Sequence, residues 1–514
     1  MESALAPVVS HTALGALAGA VEDNGILSFK GVPFARPPVG DLRWKPPQPP
    51  EPWDGVRDAT AFGPAPLQQR LTAGALTTLG FGADERQDED CLYLNIWTPG
   101  LGGVRPVMVW ITGGAFYLGS GSQPLYDGRF LARRGDVVVV TINYRLGSFG
   151  FLHGRSLCGD ALDATGNEGL LDQVAALRWV REHIAAFGGD PRNVTVFGES
   201  AGGISIGQLL GMDAAMGAFD RAILQSGAVS DPRPPDDAAA YTRQLLDAFG
   251  IVPADAGKLR QVPAGEILAF QSQALMAAAG IFGAGPRFGP VLDGEVIKRP
   301  ARESVAAGSA RGVPVIAGTL LEEMTLFAAA DPSLATLTDE GLAGRLVAML
   351  GEAAPRVVEA YRSARRARGW SVAPPDLFIA ITTDAVFRVP AIRLLEAQSR
   401  QGTPAYAYLM DWRSPIAGGV LGATHALDLP FTFGTIEHVG AQAFTGEGPA
   451  VQRLTEAIMD AWLNFARTGI PAAPGLPSWP RYDPDRRAPM RLGESCWVDE
   501  APMDEERACW AALA

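Results

Sequence analysis

Residues Val194 to Gly203 read VTVFGESAGG. The opening VTVF is a run of β-branched and aromatic residues, as in a buried strand, and Ile204 to Leu210 reads as a helix. Between them lies Gly198-Glu199-Ser200-Ala201-Gly202, a G-x-S-x-G on a strand-to-helix turn. A serine hydroxyl is a weak nucleophile until a base removes its proton, and it must also project from the sheet into a cleft. A sharp turn projects it but crowds the backbone, and glycine at both flanking positions relieves the crowding because it has no Cβ. The N-terminus of the following helix faces the same spot and favours developing negative charge. With 60 glycines in the chain, a bare G-x-S-x-G arises readily by chance; the strand before it and the helix after it mark this one as a catalytic candidate. Ser226, in the LQSG of Leu224 to Gly227, also follows a strand but lacks the upstream glycine, and reads as a polar support.

Outward from this turn, strand and helix patterns alternate. Val107 to Thr112, Val137 to Tyr144, Arg221 to Gln225, Val313 to Thr319 and Ala405 to Trp412 read as strands. After Asn167, a candidate N-cap, apolar residues at Leu170, Val174, Leu177, Val180 and Ile184 trace one helical face that Gly188-Gly189 ends. A late helix shows Val451, Leu454, Ile458, Trp462 and Phe465, and stops at Gly469 and Pro471. The alternation predicts an α/β fold, with a large, mostly parallel sheet covered by helices on both faces. Such sheets bind ligands at the carboxyl ends of their strands.

Composition narrows the function. The 514 residues carry 43 Lys and Arg against 56 Asp and Glu, a net charge of −13. That balance argues against nucleic acid and against docking on an anionic membrane. Hydrophobic residues are 47% and charged residues 19%, enough for a large buried core. The four cysteines, Cys91, Cys158, Cys496 and Cys509, form no C-x-x-C, so neither zinc nor dithiol chemistry has support, and no metal or cofactor is expected. The first residues lack a basic segment before an apolar one, so a secretory signal is not expected. The uncharged stretch from Ile267 to Pro286 is interrupted by Gln271, Ser272 and Gln273, and reads as a buried or cleft-lining segment.

The segment FGESAGG resembles the active-serine signature of type-B carboxylesterases, the α/β-hydrolase family that includes the cholinesterases. Glu89 to Pro99 (EDCLYLNIWTP) resembles the second signature of that family, and Phe34 to Trp44 (FARPPVGDLRW) its N-terminal segment. NYRLG from Asn143, PVLDG from Pro290 and THALDLPF from Thr424 continue the likeness in the family's order over nearly the whole chain. The likeness is greatest to bacterial para-nitrobenzyl-esterase-type members.

The resemblance implies one α/β-hydrolase domain over residues 1–514, with helical insertions around 230–300 and 328–400 forming the cleft rim. It implies a serine carboxylesterase that forms an acyl-enzyme on small apolar or aromatic esters. The expected setting is a monomer in the cytoplasm. Ser200 is the expected nucleophile, and the expected oxyanion donors are the amides of Gly114, Ala115 and Ala201. Among five histidines, His425 fits the family's catalytic position. An imidazole suits a base because its pKa lies near neutrality. The family register selects Glu323 as the acid, with Glu322 as the fallback. Thr112 stands where the family often has His, and Met324 where it usually has Gly. Glu199 is either an electrostatic modulator or a hydrogen-bonded structural carboxylate. Arg43 with Glu89, and Arg145 with Asp172, resemble structural ion pairs. Cys91 occupies a family disulfide position, but Gly63 to Leu67 upstream holds no cysteine, so a free thiol is expected. Residues 66–90 hold one aromatic, Phe81, and no Trp, which disfavours a choline ester. Phe116, Tyr117, Phe282 and Phe288 are candidate substrate-lining aromatics, or plain core.

Overall fold

The computed structural model describes residues 8–71, 77, 85–277, 287–438, 440–511 and 513. Among these, one sheet of thirteen strands dominates. Twelve form a continuous ladder: β1 Val8–Thr12, β2 Gly15–Val21, β3 Leu27–Pro33, β4 Tyr93–Thr98, β5 Arg105–Ile111, β6 Val138–Ile142, β7 Gly189–Glu199, β8 Arg221–Gln225, β9 Val315–Leu320, β10 Ala405–Met410, β11 Met490–Leu492 and β12 Trp497–Val498. Their order is β1-β2-β3-β4-β6-β5-β7-β8-β9-β10-β11-β12. From β6 to β11 every pairing is parallel, while β1 to β4, the β4–β6 pair and β12 are antiparallel.

The two faces have separate cores because side chains alternate along each strand. Val107, Val109, Val138, Val140, Val194 and Val196 face one side, where they meet Leu170, Val174, Leu177 and Val180 of helix α1 (Glu168–His183). Met108, Trp110, Val139, Phe197 and Ile223 face the other and meet the late helix. That helix, Pro449–Thr468, ends at Gly469, whose φ of 80° is the left-handed stop a glycine supplies. Helices on both faces are therefore what the two periodicities dictate.

Several boundaries differ from the sequence expectation for local reasons. Val137 to Tyr144 is strand only to Ile142, because the Asn143 side chain turns to accept from Gly121 N and donate to Pro64 O. Trp412 leaves the β10 ladder and donates its indole N–H to Thr445 O. Asn167 stands at the N-cap of α1, yet its side chain does not cap; it pairs both ways with the Val291 backbone, at 2.9 Å each. Ile267 is buried in a helix, Ala264–Ala277, and the stretch expected to continue to Pro286 passes outside the described residues. No helix among the described residues is long and apolar enough to cross a membrane.

The parallel register brings the carboxyl ends of β5, β7, β8 and β9 together: Gly198 lies opposite Ile111, Glu199 opposite Gln225, and Gln225 opposite Gly318. The loops that follow these strands carry the candidate residues.

Candidate active site

Ser200 follows β7 directly and opens helix α2 (Ala201–Leu209) with φ 56°, ψ −122°. Gln225 O receives its backbone N–H at 2.9 Å, and its own carbonyl accepts from Ile204 N. A Cβ on Gly202 would sit 2.0 Å from Ile111 O, and one on Gly198 2.7 Å from the same atom. Neither glycine has a positive φ, so both are there for close approach, and the strain falls on the serine between them.

The loop after β5 lies against this turn. A Cβ on Gly113 would sit 2.8 Å from Glu199 Oε2 and 3.0 Å from Ser200 Cβ. Gly114, Ala115 and Phe116 all adopt left-handed φ, 108°, 52° and 64°, and Gly114 O accepts from the amides of Tyr117 and Leu118. For Ala115 that conformation is strained, since an L side chain there costs about 1–2 kcal/mol; substituting a glycine by alanine is chemically harmless but not conformationally free. Among the described residues no group accepts from the Gly114 or Ala115 amides, and the Ala201 N–H is an orphan of the first helical turn. Gly114, Ala115 and Ser200 keep partial exposure, while Ala201 is buried.

With Thr112 in place of histidine, the loop is braced by groups the sequence did not flag. Tyr144 donates its hydroxyl to Thr112 O at 2.9 Å. The buried Gln68 amide grips Gly119 from both ends, accepting its N–H at 2.8 Å and donating to its carbonyl at 2.9 Å.

Glu323 and His425 meet in the interior. Glu323 Oε2 lies 2.6 Å from His425 Nδ1, and its other oxygen accepts from Leu320 N at 2.7 Å. Glu322 turns away, to Arg413 Nη1 and Ala423 N. Met324 has φ −77°, so the position does not call for glycine, and its amide donates to Thr383 Oγ1. The imidazole packs beside the Phe327 and Phe387 rings, with ring centroids 5.1 and 4.7 Å away and both rings tilted to it. Phe387 is delivered by a single π-helical turn, Asp384–Arg388. His425 Nε2 has no hydrogen-bond partner; Glu199 Oε1 is 3.0 Å from it but is not aligned for one.

Three buried carboxylates thus surround one imidazole. Burial alone would lower the His425 pKa, but Glu199, Glu323 and Asp428 outweigh it and hold the ring well above the ordinary imidazole range. Burial raises the Glu199 carboxyl, helped by Asp428 and Glu323. Asp428 is pushed up to about 6 by burial, although Gln225 and Tyr408 donate to it. Asp428 sits within the THALDLPF segment, and Gln225 closes the strand before Ser226; neither was singled out by spacing. Ser226 is buried with φ 46°, its hydroxyl unpartnered.

The other sequence candidates fall as follows. Phe116 packs into the core edge-on to Phe151, and Phe288 is buried against Tyr117 and Tyr241. Tyr117 keeps partial exposure. Phe282 and Phe81 lie outside the described residues. His153 is structural, bonded to Thr165 O and Ser156, and His183 packs against Trp179 with its ring tilted. Arg43 pairs with Glu89 at 2.5 Å and Arg145 with Asp172 at 2.7 Å. All four cysteines are free, and burial pushes the Cys91 thiol well up. No cluster of three or more His, Cys, Asp or Glu among the described residues is disposed to hold a metal ion.

A mostly parallel sheet with a strained serine at the end of β7, packed against the glycine-rich loop after β5, is the arrangement of a hydrolase of the α/β-hydrolase fold. The model of the carboxylesterase family matches residues 6–510. The chain is 41% identical to the para-nitrobenzyl esterase of Bacillus subtilis, covering 96% of this chain and 97% of that one. It is 38% identical to the phenmedipham hydrolase of Pseudarthrobacter oxydans, covering 95% of each. The crystal structure of the Geobacillus stearothermophilus carboxylesterase EST55 superposes with a TM-score of 0.88 at 42% identity, over 98% of this chain and 99% of that one. The chain belongs to the carboxylesterase family and is a carboxylic ester hydrolase.

Proposed function

We propose that Ser200, His425 and Glu323 form the catalytic triad, with the amides of Gly114, Ala115 and Ala201 as the oxyanion hole. His425 Nε2 takes the proton from Ser200 Oγ as that oxygen attacks the ester carbonyl. The tetrahedral oxyanion rests on the three amides, each worth about 3–4 kcal/mol in related sites. Glu323 fixes the imidazole through Nδ1 and stabilises its cation, and the ring then protonates the departing alcohol. Water clears the acyl-enzyme by the same route. The observation that carries this reading is the 2.6 Å contact between Glu323 Oε2 and His425 Nδ1, with Nε2 making no aligned hydrogen bond.

The substrate is a small ester with an apolar or aromatic group, suited to the half-buried Tyr117 and Phe327. The helical segments around 230–300 and 328–400, which follow β8 and β9, are its rim. A monomer in the cytoplasm fits the free thiols and the charge of −13, which offers nothing to nucleic acid or an anionic membrane. Turnover of a p-nitrophenyl ester by Ser200→Ala and His425→Ala is the test: each variant, folded, should lose essentially all activity, and retained turnover in either overturns the triad. Matched ester and amide substrates should show the ester preferred.

A further inference from the structure

We propose that Glu322, the acid beside Glu323, is a positioning residue that holds the His425 loop in register with the acid. The proposal rests on the triad reading above.

His425 arrives on an irregular segment after β10. Ala417, Gly418, Gly419 and Gly422 all have positive φ there, Val420 is 70% exposed, and the segment closes on itself through Ser414 N to Gly422 O and Gly422 N to Gly419 O. Its anchor comes from the strip 322–325. Glu322 N donates to Ala423 O, and Glu322 Oε2 accepts from Ala423 N, each at 2.9 Å. One residue thereby holds both polar groups of the Ala423 backbone. Gly422, at φ 61°, wraps the carboxylate so closely that a Cβ would sit 2.0 Å from Oε2. The Thr325 hydroxyl adds a second tie, 2.6 Å from Leu421 O and 2.7 Å from Thr424 Oγ1. The 2.6 Å bond between Glu323 and His425 is the next rung of the same seam.

A cavity of about 390 Å³ opens on the outer side of Glu322. Its walls hold four carboxylates against three guanidiniums, which leaves no attraction for an anion. Its consequence is that water reaches the Glu322–Arg413 pair, whose Arg413 side chain is 59% exposed. An exposed ion pair is worth little, about 0–1 kcal/mol. The bond to the Ala423 amide is therefore the part of the clamp that matters, and an uncharged acceptor can replace it.

The test compares Glu322→Ala and Glu322→Gln by kcat, KM and the far-downfield proton resonance of His425 Nδ1. Misplacing a reacting group by about 1 Å can cost ~100-fold, so Glu322→Ala should lower kcat roughly 10- to 100-fold. KM should stay within about twofold, because binding is untouched. The Nδ1 resonance should shift or broaden away. Glu322→Gln, which keeps an acceptor for Ala423 N–H, should restore both the resonance and most of the lost kcat. Wild-type kcat and resonance in Glu322→Ala, or a glutamine variant as impaired as the alanine, overturns the proposal. If Glu322→Ala does not fold, Thr325→Val must show the same fall in kcat and the same loss of resonance in smaller measure; wild-type values there overturn it equally. Ser200→Ala is measured in parallel: its activity would sink the triad reading, whereas an inactive Ser200→Ala beside a wild-type Glu322→Ala would sink only the clamp.

Discussion

Five of the eleven non-glycine residues with positive φ among the described residues, Ala115, Phe116, Ser200, Ser226 and Ala426, belong to the site. Such conformations cost of order 1–3 kcal/mol each and persist only where the surroundings enforce them. Ala115→Gly should therefore keep the proposed oxyanion amide and full kcat and gain up to about 1–2 kcal/mol by urea denaturation, and Ala115→Val, β-branched at φ 52°, should lose both activity and stability. The protonation of the site makes a second prediction. The proposed triad needs a neutral His425, and the surrounding carboxylates raise its pKa, so kcat/KM should fall as pH drops through a midpoint above the usual ~6.5. Glu199 is one of the carboxylates that raise it, so Glu199→Gln should move that acid limb to lower pH. An unmoved limb would mean that Glu199 does not act on the imidazole. At this scale the sequence was informative about identity and silent about direction. The family resemblance put Glu323 first and Glu322 as the fallback, and the fold shows Glu323 beside the imidazole and Glu322 on Ala423. Gln68 and Gln225 left no trace, because a buried amide has no periodicity or motif of its own.

At the scale of elements, the turn after β7 and the loop after β5 are packed to contact. Gly202→Ala would drive a Cβ onto Ile111 O, a backbone atom that cannot move without disturbing β5. It should cost ~3 kcal/mol and abolish turnover, read by denaturant midpoint and p-nitrophenyl ester assay. Arg145, following β6, is bound to Asp172 of α1 through two nitrogens, both side chains buried. Removing one partner strands a buried charge, so Asp172→Ala should destabilise by ~3–5 kcal/mol. Helix α1 and the central parallel strands were legible because burial writes periodicity into sequence. Their ends were not: Asn143, Asn167 and Trp412 find distant partners, and those partners override the local signal.

For the whole molecule, strand–helix alternation made the parallel centre of the sheet readable. The antiparallel margin, β1 to β4 and β12, was not, since short strands without crossover helices give weak patterns. All four cysteines are free, and Cys91 is buried with its thiol pushed up. A thiol reagent should leave Cys91 unmodified in the native protein and label it after denaturation, and a reducing agent should not change the melting temperature. The account stands or falls on a serine at the end of β7 being activated by an imidazole carried on the segment after β10. The most direct measurement is peptide mapping of the protein after reaction with a fluorophosphonate. Label confined to Ser200, and lost in His425→Ala, is the expected result; label on another residue, or undiminished label at Ser200 without His425, would contradict it.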